Sequence, residues 1–304
     1  MDNKAILLLG GGGFIGGALA RKLAKQGREV IILAPKPPVD STNIFYVHGN
    51  LDDPALLAKL LPQCATIIHL ASATTPGSSA RSPVRELENL APTLRLLEAL
   101  QAWPETHLIF FSSGGTIYGD PQRLPVHEND TTRPLSYHGA GKLAQEAVLH
   151  AFRACGHAVT VLRPSNVYGP GQQLKNGFGL IRTLLEHARQ DTTFEVWGDG
   201  ESVRDYIYID DLIEASVRLI DMPGDNSTYN LGSGIGHSIN QVRQIVEEIT
   251  GITIETKYRP ARGVDVRNVV LDISRIRQAL SWKPETTLFD GIRQTWEQLY
   301  CRHD

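Results

Sequence analysis

A phenol, an imidazole and an ammonium stand within one six-residue stretch, Tyr137-His138-Gly139-Ala140-Gly141-Lys142. Such a set suits proton transfer coupled to hydride removal, because an alcohol gives up hydride only if its hydroxyl proton leaves as well. A phenol, with a pKa of about 10, does this at neutral pH only beside a positive charge that acidifies it. An imidazole titrates near about 6.5 without such help, but its side chain is shorter. If the stretch is helical, His138 and Lys142 are four residues apart and share a face, about 40° from one another. Tyr137 is five residues from Lys142, about 140° round, and needs a distortion at the helix start to swing towards it. The spacing predicts the helix over Lys142 to Arg153, after a strand running from Leu108 to Ser113.

The elements before this stretch read as a dinucleotide site. Ala5 to Leu9 is a continuous apolar run, as a strand buried on both faces requires. Gly10-Gly11-Gly12-Gly13-Phe14-Ile15-Gly16 follows, then a helical rhythm from Ala18 to Lys25 and a second apolar run from Glu29 to Leu33. This is a strand, glycine turn, helix and strand within about 30 residues, the spacing of a βαβ unit. Gly10, Gly13 and Gly16 let the backbone turn tightly and approach a pyrophosphate, whose charge the helix N-terminus at Phe14 and Ile15 favours.

The second strand ends Leu33-Ala34-Pro35-Lys36, without the carboxylate that would hold ribose hydroxyls. A 2′-phosphate is then not repelled, and Lys36 either attracts it or is a solvated lysine beside a Pro-rich loop. NAD and NADP both stay open, with Ala34 and Lys36 favouring NADP.

A short third strand (Ile44 to Val47), Asn50-Leu51, a helix from Pro54 to Leu61 and a fourth strand from Thr66 to Leu70 continue the alternation. Asn50, Leu51, Leu70, Ala71 and Ser72 are cofactor candidates, since ligands lie outside the carboxyl ends of such strands. Residues 74–83 read as a polar loop. In the helix expected over 84–102, Leu87, Leu90, Leu94, Leu97 and Leu100 form a stripe read as core or subunit interface.

The chain has 304 residues, 41% hydrophobic and 21% charged, with a net charge of −3, so neither nucleic acid nor an anionic membrane is an expected partner. No apolar run is long enough to span a bilayer. The N-terminus enters the glycine loop without a signal-peptide pattern, and a cytoplasmic location is expected. Cys64, Cys155 and Cys301 are scattered and form no CxxC, which argues against a disulfide framework and against a metal site.

Four stretches bear a family likeness: the glycine loop, Ile109-Phe110-Phe111-Ser112-Ser113-Gly114-Gly115-Thr116-Ile117-Tyr118-Gly119, Arg163-Pro164-Ser165-Asn166-Val167-Tyr168-Gly169-Pro170-Gly171, and Trp197-Gly198-Asp199-Gly200 with Arg204-Asp205-Tyr206. In this order they resemble the extended short-chain dehydrogenase/reductase family, in its nucleotide-sugar epimerase/dehydratase branch. The resemblance implies an α/β fold: a Rossmann-type doubly wound parallel sheet with a smaller C-terminal α/β substrate-binding domain. It places the dinucleotide domain at 1–164 plus about 202–222, and the nucleotide-sugar domain at 165–201 and 223–304. Lys142 would hold the nicotinamide ribose, and the backbone from Pro164 would pack near the nicotinamide. Asn166, Arg204 and Arg262 would bind the diphosphate, with Arg267 a further candidate and Asp265 orienting Arg262 or a ribose hydroxyl.

Two positions depart from the family pattern. His138 stands where a tyrosine is usual, and Gly114 stands where a serine or threonine is usual, so Ser113 or Thr116 would supply the hydroxyl. Three readings follow. His138 or Tyr137 transfers the proton in a working enzyme, the site binds with weakened or lost turnover, or the chemistry is altered. The implied function is a UDP-hexose or N-acetylhexosamine 4-epimerase acting by transient hydride transfer from C4 to a bound NAD(P). The alternatives are an NADPH-dependent 4-keto-sugar reductase and a nucleotide-sugar-binding protein with reduced catalysis. A dehydratase fits less well, for want of an Asp-Glu pair after the serines. The resemblance also implies a homodimer built on helices 84–102 and 142–153.

Overall fold

A computed structural model describes residues 4–35, 43–175, 177–222, 224–261 and 266–301. The first half runs β1 (Ala5–Leu9), α1 (Phe14–Lys25), β2 (Val30–Ala34), β3 (Ile44–His48), α2 (Pro54–Leu60), β4 (Cys64–His69) and α3 (Pro76–Ser79). After a 3-10 turn, Pro83–Glu86, come α4 (Leu87–Leu100), β5 (His107–Phe111), α5 (Gly114–Ile117), α6 (Tyr137–Ala154), β6 (Val159–Pro164) and β7 (Asn166–Tyr168). The remainder is α7 (Leu180–Gln190), β8 (Phe194–Trp197), β9 (Val203–Tyr208), α8 (Ile209–Ile220), β10 (Thr228–Leu231), β11 (Gly236–Ser238), α9 (Ile239–Thr250), β12 (Thr256–Arg259), β13 (Asn268–Val269), α10 (Ser274–Leu280) and α11 (Leu288–Trp296).

The chain divides into two compact units, the first comprising 1–113, 137–163 and 213–229, the second 114–136, 164–212 and 230–304. The stretch 202–222, grouped with the dinucleotide half on sequence, is shared: β9 pairs in the second unit's sheet, while most of α8 belongs to the first unit.

The seven-stranded sheet has the order β10-β6-β5-β4-β1-β2-β3. Every pairing among β1 to β6 is parallel. β1, β2, β5 and β6 are buried along their whole length, as strands covered on both faces must be. This is the doubly wound Rossmann arrangement expected from the alternation of strands and helices. The core on one side of the sheet is built from Leu7, Leu9, Ile31, Leu33, Ile67, Leu108 and Phe110 against Leu57, Leu96, Leu97, Leu100 and Leu149.

α4 turns a mixed face inward, with Asn89, Thr93, Leu96, Leu97 and Leu100 buried. The predicted leucine stripe is therefore split: Leu97 and Leu100 enter the core, whereas Leu87 and Leu94 are exposed. The polar loop expected at 74–83 contains α3, whose Thr75 and Ser78 form a capping box.

α6 differs most from the sequence expectation. It begins at Tyr137, five residues before Lys142. Gly139 and Gly141 are poor helix formers, by about 1 kcal/mol each relative to alanine, so local propensity hides the first turn. Tertiary packing compensates, because His138, Gly139, Gly141 and Lys142 are all buried on the inward face.

In the second unit β9 is central to a sheet of order β11-β9-β13, with β7 also pairing β9. β12 and β8 form a separate parallel pair. α9 is capped by Ser238 and Gln241 and stopped by Gly251 in the left-handed region, as its sequence ends suggest. Among the described residues no helix is long and apolar enough to cross a membrane, and no group of three or more His, Cys, Asp or Glu could hold a metal ion.

Candidate functional site

In the first unit the glycine loop closes very tightly. Gly10 has a φ of +87°, and a Cβ there would meet the backbone of Ala71 at 2.8 Å. A Cβ at Gly16 would meet the carbonyl oxygen of Gly10 at 2.5 Å. Both positions thus require glycine, and through Gly10 the loop is brought against Ala71, two residues beyond the end of β4. Gly13 is the N-cap of α1 and makes no side-chain cap, and no acidic residue stands in the first turn. The first-turn amides at Phe14, Ile15 and Gly16 form an end suited to an anion.

Leu70 and Ala71 follow β4, the Leu70 amide donating to the Leu9 carbonyl at 2.9 Å. The Ser72 hydroxyl donates to the Thr74 carbonyl at 3.0 Å. Asn50 is exposed and Leu51 half-buried just beyond β3. At the end of β2 the Tyr46 hydroxyl donates to the Ala34 carbonyl. Lys36 lies outside the described residues.

On α6, Tyr137 is 51% exposed and His138 only 8%. Lys142 is buried, with Nζ donating to the Phe111 carbonyl at 2.9 Å and lying 4.8 Å from the Phe110 ring centroid. The lysine is thereby held at the end of β5, directly before Ser112 and Ser113. Burial pulls its pKa down to about 8, opposed by the charges of Glu86 and Glu146. Burial first and Lys142 second pull His138 down to about 4, while Glu86 acts in the opposite direction. At neutral pH His138 is therefore an uncharged base. Ser113 closes the first unit and is half-buried.

Polar side chains that the sequence did not single out surround this face of α6. Thr74 Oγ1 lies 3.0 Å from His138 Nδ1 and donates to Glu86 Oε2 at 3.1 Å. Asn89 Nδ2 donates to Thr74 Oγ1 at 2.8 Å and to Glu86 Oε2 at 3.1 Å. Further along the helix Gln145 donates to Thr93 at 2.8 Å, and Thr93 contacts the buried His69 at 3.1 Å. Burial, with a smaller contribution from Lys142, pulls His69 down to about 3. The imidazole resonances of His69 and His138 should accordingly stay in the neutral position from pH 8 down to 5.5 in an NMR titration. Titration of either near 6.5 would contradict this environment.

The signal that could have led to this cluster is Gly141. A glycine inside a helix marks a close approach, and a Cβ at this position would meet Glu86 Oε2 at 2.4 Å.

In the second unit Thr116 belongs to α5, and its hydroxyl oxygen is buried with no hydrogen-bond partner among the described residues. Pro164 ends β6, and the Ser165 amide that follows donates to the Leu231 carbonyl at 2.9 Å. Asn166 Nδ2 donates to the Asp205 carbonyl at 3.0 Å, and its side-chain amide lies beside Gly115. The Arg204 guanidinium donates to the carbonyls of Val203 at 2.9 Å and Arg267 at 3.0 Å, and to that of Val266. It thus braces the chain where it leaves 262–265. Arg267 is largely exposed, 3.9 Å from Asp199, a surface pair of little energetic weight. Arg262 and Asp265 lie outside the described residues.

Comparison with known proteins agrees with these motifs. The family model described as the NAD dependent epimerase/dehydratase family matches residues 6–232. A putative UDP-glucose 4-epimerase of Methanocaldococcus jannaschii is 31% identical over 296 residues, covering 95% of this chain and 96% of that protein. The UDP-glucose 4-epimerase of Thermotoga maritima, solved with UDP-glucose, has a TM-score of 0.91 at 33% identity, covering 97% of this chain and 98% of that one. The Thermus thermophilus UDP-glucose 4-epimerase in complex with NAD has a TM-score of 0.89 at 28% identity, covering 98% and 100%.

Proposed function

The chain belongs to the NAD dependent epimerase/dehydratase family, and on that premise we propose that it is a nucleotide-sugar 4-epimerase, most simply of a UDP-hexose. The observation that carries this reading is the pairing of His138 and Lys142 on the buried face of α6, with Lys142 anchored at the end of β5.

The first unit's residues fit a dinucleotide: Gly10 and Gly16 allow the close backbone approach, and the capless start of α1 suits a pyrophosphate. When bound, the dinucleotide supplies the acceptor, and then the donor, of the sugar C4 hydride. His138 takes the C4 hydroxyl proton as the C4–H bond breaks, and returns it when hydride is delivered to the other face of the 4-keto sugar. Lys142, protonated below about pH 8, contributes a positive charge and a donor for the nicotinamide ribose. Ser113 and Thr116 supply hydroxyls where Gly114 has none. Asn166, Arg204 and Arg262 serve the sugar diphosphate, for which planar, permanently charged guanidinium groups are suited; Asp265 orients Arg262.

Because His138 must be neutral and Lys142 protonated, kcat/KM should rise with pH through about 4 and fall above about 8, the sign each shift dictates. An acid limb centred near 6.5, the unperturbed imidazole value, would contradict the buried environment that lowers His138.

NAD is the cofactor that the Thermus relative binds. With no carboxylate at Leu33-Ala34-Pro35, NADP should bind this chain comparably, within about tenfold, since the usual source of repulsion is missing. That same feature supports the second reading, an NADPH-dependent 4-keto-sugar reductase. Incubation with a panel of UDP- and dTDP-sugars separates the two. An epimerase interconverts C4 epimers without net loss of cofactor, whereas a reductase consumes NADPH in proportion to product. The exposed Leu87 and Leu94 on α4 support a homodimer through α4 and α6, and a monomer in sedimentation at micromolar concentration would contradict it.

A further inference from the structure

The cluster beneath His138 determines which of its nitrogens carries the proton. The Ala73 backbone amide donates to Asn89 Oδ1 at 2.7 Å. A backbone N–H can only donate, so the Asn89 amide has one possible orientation, and Nδ2 must face Thr74 and Glu86. Thr74 Oγ1 therefore accepts from Asn89 and has a single proton left to give. Two neighbours compete for it, Glu86 Oε2 at 3.1 Å and His138 Nδ1 at 3.0 Å. A carboxylate can only accept, and Glu86 Oε1 is buried with no hydrogen-bond partner among the described residues. The hydroxyl proton therefore goes to Glu86. With both its donor and one lone pair used, Thr74 offers His138 an acceptor, so Nδ1 must carry a proton. Gly141 provides the space for this, because a Cβ there would displace Glu86 Oε2.

We propose that Glu86, acting through Thr74, holds His138 in its Nδ1–H tautomer, so that Nε2 keeps its lone pair as the proton-accepting atom. Glu86 and Thr74 are then positioning residues. The dyad also faces Lys142, whose charge and that of Glu86 act on His138 in opposite directions. This rests on the reading of His138 as the acid/base, but the tautomer can be measured independently of turnover.

The test is 15N NMR of histidine-labelled enzyme as purified, with the His138 signals assigned by their loss in His138→Gln. In the unmodified protein, Nδ1 should show the protonated shift and Nε2 the unprotonated one. In Glu86→Leu no acceptor claims the Thr74 proton, and in Thr74→Val the acceptor for Nδ1–H is gone. Both changes should move His138 towards the Nε2–H form and lower kcat by about 10²–10⁴-fold, the contribution of a correctly presented base, with KM little changed. Thr74→Ser, which keeps the hydroxyl, should restore tautomer and turnover together.

An Nε2–H signal in the unmodified protein overturns the proposal, as does an unchanged Nδ1–H signal in folded Glu86→Leu. If the tautomer behaves as described but no sugar is turned over, the inference about the cluster stands and the acid/base reading of His138 fails. If Thr74→Val does not fold, the unmodified spectrum and Glu86→Leu still decide.

Discussion

Replacing His138 by glutamine is expected to lower kcat for sugar interconversion by about 10²–10⁴-fold, the usual cost of losing a positioned general base. KM should change little, because His138 is not among the groups assigned to hold the nucleotide. Glutamine keeps a polar side chain that can bond Thr74 but cannot accept and return a proton near neutral pH. The more discriminating change is His138→Tyr, which installs the phenol usual at this position. If the natural residue were only a weakened remnant, tyrosine would raise turnover. The structure favours the opposite result. His138 is 8% exposed and bonded through Nδ1 to Thr74, and a bulkier phenol would lose that bond. Burial would also raise the phenol's pKa further above neutral.

The second large effect concerns stability. Glu146 on α6 and Arg163 on β6 form an ion pair with both side chains 9% exposed. Arg163 Nε lies 3.1 and 3.2 Å from the two carboxylate oxygens, and Nη2 lies 2.6 Å from one of them. Glu146→Ala would take the carboxylate from a buried guanidinium that cannot shed its charge, at a cost of about 3–5 kcal/mol in unfolding free energy. That is a large share of the roughly 5–15 kcal/mol typical of a folded protein. Replacing both partners with apolar residues of similar volume should recover most of the loss, since the pair's attraction is largely offset by desolvation. Denaturant unfolding of the single and double variants checks this. Equal loss in both would show that the pair contributes more than its burial costs.

Much of the first unit could be read directly from the chain. β1 lies where the apolar run Ala5 to Leu9 predicts, and Gly10 and Gly16 of the turn sit at positions where a Cβ cannot fit. These features are local, and local rules suffice for them.

What escaped prediction depends on distant partners. The first turn of α6 was hidden by Gly139 and Gly141, whose low propensity is offset only by tertiary packing, at Gly141 against Glu86, some 55 residues earlier in sequence. Glu86 itself sits in a 3-10 turn before α4 and shows no helical or strand pattern of its own. The commitment of Arg204 to the carbonyls of residues 266 and 267 likewise depends on a strand pairing across more than 60 residues. Spacing alone gave Arg204 a charge and not these partners.

The central claim is that hydride leaves C4 of a nucleotide sugar and returns to its opposite face while His138 handles the proton. The most direct test uses UDP-galactose or UDP-glucose deuterated at C4, incubated with the enzyme in ordinary water and followed by NMR. The account predicts inversion at C4 with the deuterium retained on that carbon, slowed by about 10²–10⁴-fold in His138→Gln. Loss of deuterium to solvent, or absence of inversion across the sugar panel by a cofactor-loaded enzyme, would contradict it.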